Sequence, residues 1–453
     1  MVTETTMARA VLVEPQSRMR PVTVYRLNEW QYVERTIQRL LAAWGRLVEE
    51  FYDKSAMHKF VWEQAECVRR LRERIDQFPG ENRDLPVDHR LEALGNAVLL
   101  APSVEDALDG IFSLLTGPLI VSYITYSRSV HGVHDAPTIA MLHEIVGIKE
   151  QQRLWFREYR RRRPHTTSQA YADAVVRALA ACGNFAETLP VVTPAAPVGV
   201  NTDYRLPKLS ARPERYLHRH NIVEWTSAKF TADVEMRRLF WCYGYLMEKN
   251  IPDDQLNWLW SAHFMPWEFQ YDVARHLWDE SRHGDSGASR LADFGISLEE
   301  IGFPNYGPQE TGTLDVLTPA QLYEAVFFIG MVAETGHFTV KQEGYQDFRD
   351  GGDLESAEMM LFDIIDENAH VQYAHKWLPV IARHAGLDDS GYKERARQDR
   401  EKHQANVKQR NAEMASKAPD DDYRFVQELL ARMRKVKPLT NVATCPPRTP
   451  LPM

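Results

Sequence analysis

Two pentapeptides in this chain place a histidine three residues after a glutamate. They are Asp279-Glu280-Ser281-Arg282-His283 and Asp366-Glu367-Asn368-Ala369-His370. Both fall in stretches with helical periodicity, and on a helix positions i and i+3 lie about 60° apart. Glu280 and His283 therefore project from one face, as do Glu367 and His370. A carboxylate and an imidazole on one face can grip a metal ion, and two such faces turned together can grip two. The expectation is a buried di-metal carboxylate site in a helical bundle. A lone E-x-x-H is weak evidence, since about one should arise by chance in a chain with 16 histidines. This chain also holds Glu334-Thr335-Gly336-His337. Requiring Asp before the Glu lowers the chance expectation to roughly 0.1, and both D-E-x-x-H motifs survive.

The remaining carboxylates must come from neighbouring helices. Glu334 closes the apolar run Ala325–Ala333, where a carboxylate is costly unless paired or metal-bound. The helix before Glu280 offers Glu235 and Glu248. If Pro266 starts the Glu280 helix, Glu280 lies about 14 residues inside it. Glu235 lies equally far from the end of its own helix at Lys249, so antiparallel packing favours Glu235 over Glu248. His276, four residues before Glu280, and His337, three after Glu334, lie near the ligand face. Each is read as a further nitrogen ligand or a supporting histidine. A carboxylate-rich set of this kind suits iron or manganese rather than zinc or copper.

The elements that would position these residues are helices throughout. Residues 1–27 read as an extended N-terminal strap, with Asn28 capping a first long helix from Glu29 to Asp53. Further helices are expected over about 55–78, 103–130, 135–163 and 167–185. Pro190, Pro194, Pro197, Pro207 and Pro213 mark 186–222 as a linker. The pattern resumes over 223–249, 267–291, 318–347 and 354–385, where Thr318-Pro319-x-Gln321 is a strong helix start and Gly386 a stop. The expected domains are thus 1–27, a bundle over 28–185, the linker 186–222, a second bundle over 223–388, and a charged helix with an irregular tail over 389–453.

The halves also resemble each other in order. Thr36–Glu50 lies over Glu235–Lys249, and Trp62–Cys67 over Trp278–His283. In that register Glu235 faces Thr36, Glu280 faces Gln64, and His283 faces Cys67. Glu334 faces Leu119, Glu367 faces Ile148, and His370 faces Gln151. The expectation is an all-α duplication, two fused four-helix bundles of which the second binds metal and the first has lost its ligands.

Bulk properties exclude several classes. A net charge of -9 and a pI near 6.0 argue against nucleic-acid binding. The cysteines at 67, 182, 242 and 445 form no C-x-x-C, which fits a reducing cytoplasm. No uninterrupted apolar run approaches the ~18 residues that span a membrane, and no signal peptide is read at the N-terminus.

The order Glu, D-E-x-R-H, Glu, D-E-x-x-H over about 223–385 resembles the ferritin-like di-iron carboxylate superfamily. The D-E-x-R-H form is closest to its oxygen-activating branch of monooxygenase hydroxylases, ribonucleotide reductase small subunits and acyl desaturases. The resemblance implies ferritin-like bundles and two iron ions, with manganese or a mixed Mn/Fe pair as alternatives. It implies that Glu235 and His283 bind one metal and Glu334 and His370 the other, with Glu280 and Glu367 bridging. It also implies that Asp279 and Asp366, and by analogy Asp363, hydrogen-bond the ligand histidines. His276 or His337 would supply the extra nitrogen ligand that some N-oxygenating relatives have. The implied activity is a di-iron oxygenase or oxidase using O2 on a C–H or N–H bond of a small organic substrate, with Glu280, Glu334 and Glu367 carrying the chemistry. Phe327, Phe328, Met331 and Trp278 would wall its pocket. The electron donor is unspecified, and the chain is read as a monomeric pseudo-dimer or a homodimer. The competing classes are a ferroxidase or manganese/iron redox protein without an organic substrate, and a metal-free helical scaffold.

Overall fold

A computed structural model describes residues 16–202, 204–217, 234–305, 310–388, 390–417 and 420–436. The described residues are helical, with no strand and only two isolated bridges, Asp88 to Pro194 and Pro207 to Thr313. The chain divides into two compact units, 1–44 with 63–204 and 45–62 with 205–453. The division after 204 falls inside the segment read as a linker, but 45–62 goes with the second unit.

The first unit contains α1 (Gln16–Gly45), most of α2 (Phe51–Asp76), α3 (His89–Leu99), α4 (Val104–Asp109), α5 (Thr116–Ser129), α6 (Ala136–Arg162) and α7 (Gln169–Ala181). A π-helical segment, Gly110–Leu115, joins α4 to α5. Two expectations change here. Residues 16–27 are helical rather than extended, and 1–15 lie outside the described residues. Asn28 is not a cap, because its side-chain amide donates to the Val24 carbonyl one turn back. Ser103 does cap α4, accepting from the Asp106 amide at 3.1 Å. The stretch Val104–Ser129 is, by length and composition alone, long and apolar enough to cross a membrane, contrary to expectation. Small hydroxyl residues and glycines interrupt its apolar run, yet an 18-residue window within it has a mean hydropathy of 1.6, and 61% of that window is buried inside the protein.

At the centre of the first unit lies a buried polar network. The Lys149 ammonium donates to Glu34 and to Gln64 Oε1, Gln64 donates to Gln152 Oε1 at 3.0 Å, and Tyr123 donates to Glu34 at 2.7 Å. Lys149 and Gln152, rather than Ile148 and Gln151, point inward, and Gln151 is exposed. The inward-facing residues of this helix therefore lie one position beyond those aligned with Glu367 and His370.

The second unit is built on α8 (Val234–Glu248), α9 (Ile251–Ser261), α10 (Trp267–Asp293), the short α11 (Leu298–Ile301), α12 (Pro319–Val326), α13 (Thr335–Asp350) and α14 (Leu354–Ala385). A second π-helical segment, Phe327–Glu334, connects α12 to α13. α15 (Tyr392–Lys417) and α16 (Asp420–Met433) follow. Of the helix expected over 223–249, residues 223–233 lie outside the described residues, as does the tail 437–453. Thr318 and Gln321 form a reciprocal capping box with Pro319 at the first helical position. Asp353 caps α14 through the Ser356 amide, and Gly386 ends it with φ +66.

α8 and α9 pack in succession along α10, α13 packs along α14, and α10 faces α14. Two glycines permit the closest approaches. A Cβ on Gly287 would come within 2.5 Å of α8 backbone, and one on Gly330 would meet the Ala374 Cβ at 2.5 Å. The first brings α8 against α10, and the second brings the π segment against α14.

The same unit buries a cationic network beneath α10. Lys54 and Arg212 converge on Asp253 at 3.3 and 2.9 Å, and His58 Nδ1 lies 3.1 Å from the Ser281 hydroxyl. Burial pulls the His58 imidazole down to about 4, even with Asp253 nearby. An unfolded chain binds a proton at His58 below pH 6.5, whereas the folded chain does not until about pH 4. This residue's contribution to stability is therefore full above pH 6.5 and lost as pH falls towards 4, by up to about 3 kcal/mol. Denaturant titrations across this window should show a steeper acid loss in the wild type than in His58→Gln.

Candidate metal centre

Four helical elements deliver ionisable side chains to one buried point in the second unit. α8 supplies Glu248, and α10 supplies His276, Glu280 and His283. The π segment supplies Glu334, and α14 supplies Asp363, Glu367 and His370. Their donor atoms form three overlapping sets, each within 4.8 Å: His276, Glu280, Glu334 and His370; Glu248, His283 and Asp363; and Glu280, His283 and Glu367, the last two joined at His283 into a second group. In the first, His276 Nε2 lies 2.8 Å from Glu334 Oε1 and 3.3 Å from Glu280 Oε1. His370 Nδ1 lies 3.4 Å from Glu280 Oε1 and 3.5 Å from Glu334 Oε1, and the imidazoles of His276 and His370 stack at 3.7 Å.

The second group gathers around His283 Nδ1. Glu248 Oε2 is 3.3 Å away, Asp363 Oδ1 3.4 Å and Glu280 Oε2 3.8 Å, and Glu367 joins the same cluster. The two oxygens of Glu280 thus face different groups, the arrangement of a carboxylate shared between two ions.

The inward-facing atoms are buried without hydrogen-bond partners. They are Glu248 Oε2, His276 Nε2, both oxygens of Glu280, His283 Nδ1, both oxygens of Glu334, Glu367 Oε2 and His370 Nδ1. Orphaned buried polar atoms are costly, at about 1–3 kcal/mol each and more when charged. Their convergence is what a metal-binding donor set requires, with carboxylates dominating as iron or manganese favour.

The outer nitrogens of two histidines are held crosswise. His283 Nε2 faces Asp366 at 3.3 Å, and His370 Nε2 faces Asp279 at 3.4 Å. Each D-E-x-x-H motif therefore orients the histidine of the other. Arg282 binds both aspartates, Arg275 donates to Asp279 at 2.8 Å, and both guanidiniums lie over Trp278. Asp363 departs from the aspartate role expected for it, because it meets the inward nitrogen of His283 and so stands among the donors.

Charge in the cluster is strongly redistributed. Burial works against ionising Glu280 and Glu334, but the surrounding histidines hold Glu280 well below the usual range and Glu334 at about 2. Burial also works against charge on His283 and His370, yet their carboxylate neighbours hold both imidazoles well above theirs. Glu367 moves the other way: burial raises it, with Glu334, Asp363 and Glu280 adding to the rise against Lys341. The cluster draws positive charge to itself, as protons or as metal ions.

Glu280, His283, Glu334, Glu367 and His370 are brought together, and His276 joins them. Glu235 is not. It sits half-buried against Arg238 at 3.3 Å near the start of α8, and Glu248 stands in its place. The reason is that the arm does not end at Lys249: 251–261 form a second helix that continues it along α10. Glu280 is the fourteenth residue from Trp267, and fourteen back from Ser261, rather than from Lys249, lands on Glu248. His337 is exposed and belongs to neither group.

Lys341 and Tyr245 were not anticipated. Lys341 Nζ donates to Glu367 Oε1 at 2.7 Å and to Asp363 at 2.9 Å, and Tyr245 donates to Asp363 Oδ2 at 2.8 Å. The available signal was spacing. Lys341 follows Glu334 by two helical turns, and Tyr245 precedes Glu248 by one.

A small cleft, partly open to solvent, reaches the first group. Trp258, Phe269, Val273, Val326 and Trp377 line it, along with the imidazoles of His276 and His370. Asp272 and Tyr373 supply polar lining. None of the expected wall residues contributes. Trp278 stacks on Trp62, Phe327 lies under Arg395, Phe328 is exposed against His403, and Met331 is buried away from the cleft.

No protein-family model, curated protein or solved structure matches the chain.

Equilibrium dialysis with Mn(II) distinguishes the two α8 glutamates. Glu248→Ala should lose at least tenfold in affinity for one of two ions, whereas Glu235→Ala should bind both as the wild type does.

Proposed function

We propose that the chain is a non-haem di-iron oxidoreductase, an oxygenase or oxidase that uses O2 to oxidise a C–H or N–H bond of a small organic substrate. The observation that carries this reading is the set of buried, unpartnered donor atoms converging in two groups that share Glu280. His276, Glu334 and His370 would hold one ion, and Glu248, His283, Asp363 and Glu367 the other. Glu280 would touch both. Manganese or a mixed pair would use the same donors. Bound ferrous iron would supply the electrons that reduce O2, which none of the chain's own side chains can do, and an external reductant would have to restore them on each turnover.

The chain's residues do the rest. Asp279 and Asp366 fix the histidine rings with Nδ1 turned inward. The cleft against His276 and His370 is lined mostly by apolar side chains and opens to solvent. Its mostly apolar lining, rather than its size, favours an organic substrate over plain iron oxidation, which needs only a path for ions. Apolar walls exclude water from the reacting bond and leave shape as the main selector.

The same reading includes two fused ferritin-like bundles. The first unit's central network draws one residue from each of four helices, Glu34, Gln64, Tyr123 and Lys149. Glu248, Glu280, Glu334 and Glu367 follow the same order in the second. Each unit also carries a π segment near its third contributor: Gly110–Leu115 ends eight residues before Tyr123, and Phe327–Glu334 ends on Glu334 itself. Lys149 and Gln152, three apart, would then correspond to Glu367 and His370. The first unit then satisfies its acid with an ammonium, and one chain carries one di-metal centre.

Anaerobic titration with ferrous iron should load two ions per chain, and exposure to air should then consume O2. Uptake that rises with small apolar compounds supports the oxygenase, whereas rapid uptake indifferent to them identifies a ferroxidase. A chain that takes up neither iron nor manganese is a scaffold, and this reading then fails.

A further inference from the structure

The two groups of donors differ in one respect that their residue types conceal. Lys341 is buried among the second group only. Its Nζ lies 2.7 Å from Glu367 Oε1, 2.9 Å from Asp363 and 3.9 Å from Glu248 Oε1. Those are three of the four carboxylates gathered around His283. No lysine or arginine stands among His276, Glu280, Glu334 and His370. The ammonium is also fixed from behind, with the Tyr245 ring 5.7 Å away and Tyr245 itself tied to Asp363.

Charge counting gives this placement a meaning. Glu248, Glu280, Glu334, Asp363 and Glu367 bring five negative charges. Asp279 and Asp366 are matched separately by Arg275 and Arg282. Two divalent ions supply four positive charges, and Lys341 supplies the fifth. An ion entering the first group meets carboxylate oxygens paired only with the imidazoles of His276 and His370, which can give up a proton and become ligands themselves. An ion entering the second must take oxygens of Asp363 and Glu367 away from an ammonium and then remain beside it. Like charges a few ångströms apart in a buried site repel strongly.

Resting on the metal reading above, we propose that Lys341 is a built-in counter-cation that makes the two metal positions unequal. The position at His276, Glu280, Glu334 and His370 fills first and tightly. The position at Glu248, His283, Asp363 and Glu367 fills second, by drawing its carboxylates away from Lys341. The cleft opens on the first position, so the ion nearest a substrate is the permanent one, and the ion beside Lys341 is the exchangeable one.

Mn(II) binding to the full chain, read from the free-ion electron paramagnetic resonance signal, tests this without any turnover. The wild type should show two classes of site differing at least tenfold in affinity. Lys341→Met should tighten the weaker class about tenfold or more and leave the tighter class unchanged. Lys341→Arg, which keeps the charge and guards against misfolding of the Met variant, should preserve the separation. His370→Ala should remove the tight class. Two equal classes in the wild type, or a weak class that Lys341→Met leaves alone or loosens, would overturn the role of Lys341 while leaving the metal centre standing. No Mn(II) or iron binding in any variant would instead sink the metal reading, and this inference with it.

Discussion

Concentrating five carboxylates in the core of a helical bundle is the constraint to which the second unit answers. An isolated buried carboxylate costs several kcal/mol, and five together repel one another as well. The surrounding structure is an arrangement of countercharge. Three imidazoles stand among the acids, and one ammonium stands behind them. Two guanidiniums, backed by indole rings, neutralise the aspartates outside. The glycines at 287 and 330 serve the same end by letting helix backbones close around the cluster, so that its donors face one another and not water.

The first unit meets a smaller version of the same constraint in a different way. There one buried acid, Glu34, is met by Lys149, and amide groups complete the ring of partners. Every charge has a proton-bearing neighbour, so nothing further is called for. Removing Lys149 would strand a buried carboxylate, a change that typically costs about 3–5 kcal/mol. The contrast is chemical. One network closes on itself with hydrogen bonds, and the other leaves nitrogen and oxygen atoms pointing at one another without them.

Much of this was readable from the chain because it depends on short spacings. The E-x-x-H pairs are one helical turn long, so their shared face follows from helix geometry alone. The boundaries of α14 follow from Gly386 and the run that precedes it, and that of α12 from its capping box. What escaped notice depended on how helices join. Glu235 is favoured only if the arm ends at Lys249, whereas after a two-residue turn the chain continues as α9. Lys341 was missed because a lysine on a helix is ordinarily a solvated one, and only the fold shows that Asp363 and Glu367 surround it. The one-residue slip between Ile148 and Lys149 is of the same kind. Amphipathic helices align tolerably in adjacent registers, and only burial distinguishes them.

The crossed pairing of Asp279 with His370 and of Asp366 with His283 gives the two motifs a common fate. Each pentapeptide carries the part that sets the other's ring, so neither is complete by itself. A change at one aspartate is felt first on the opposite helix. Drift in one copy is not rescued by perfection in the other, and a half-lost centre keeps little of its original geometry. The pair is in effect a single device written in two places, inherited or abandoned whole.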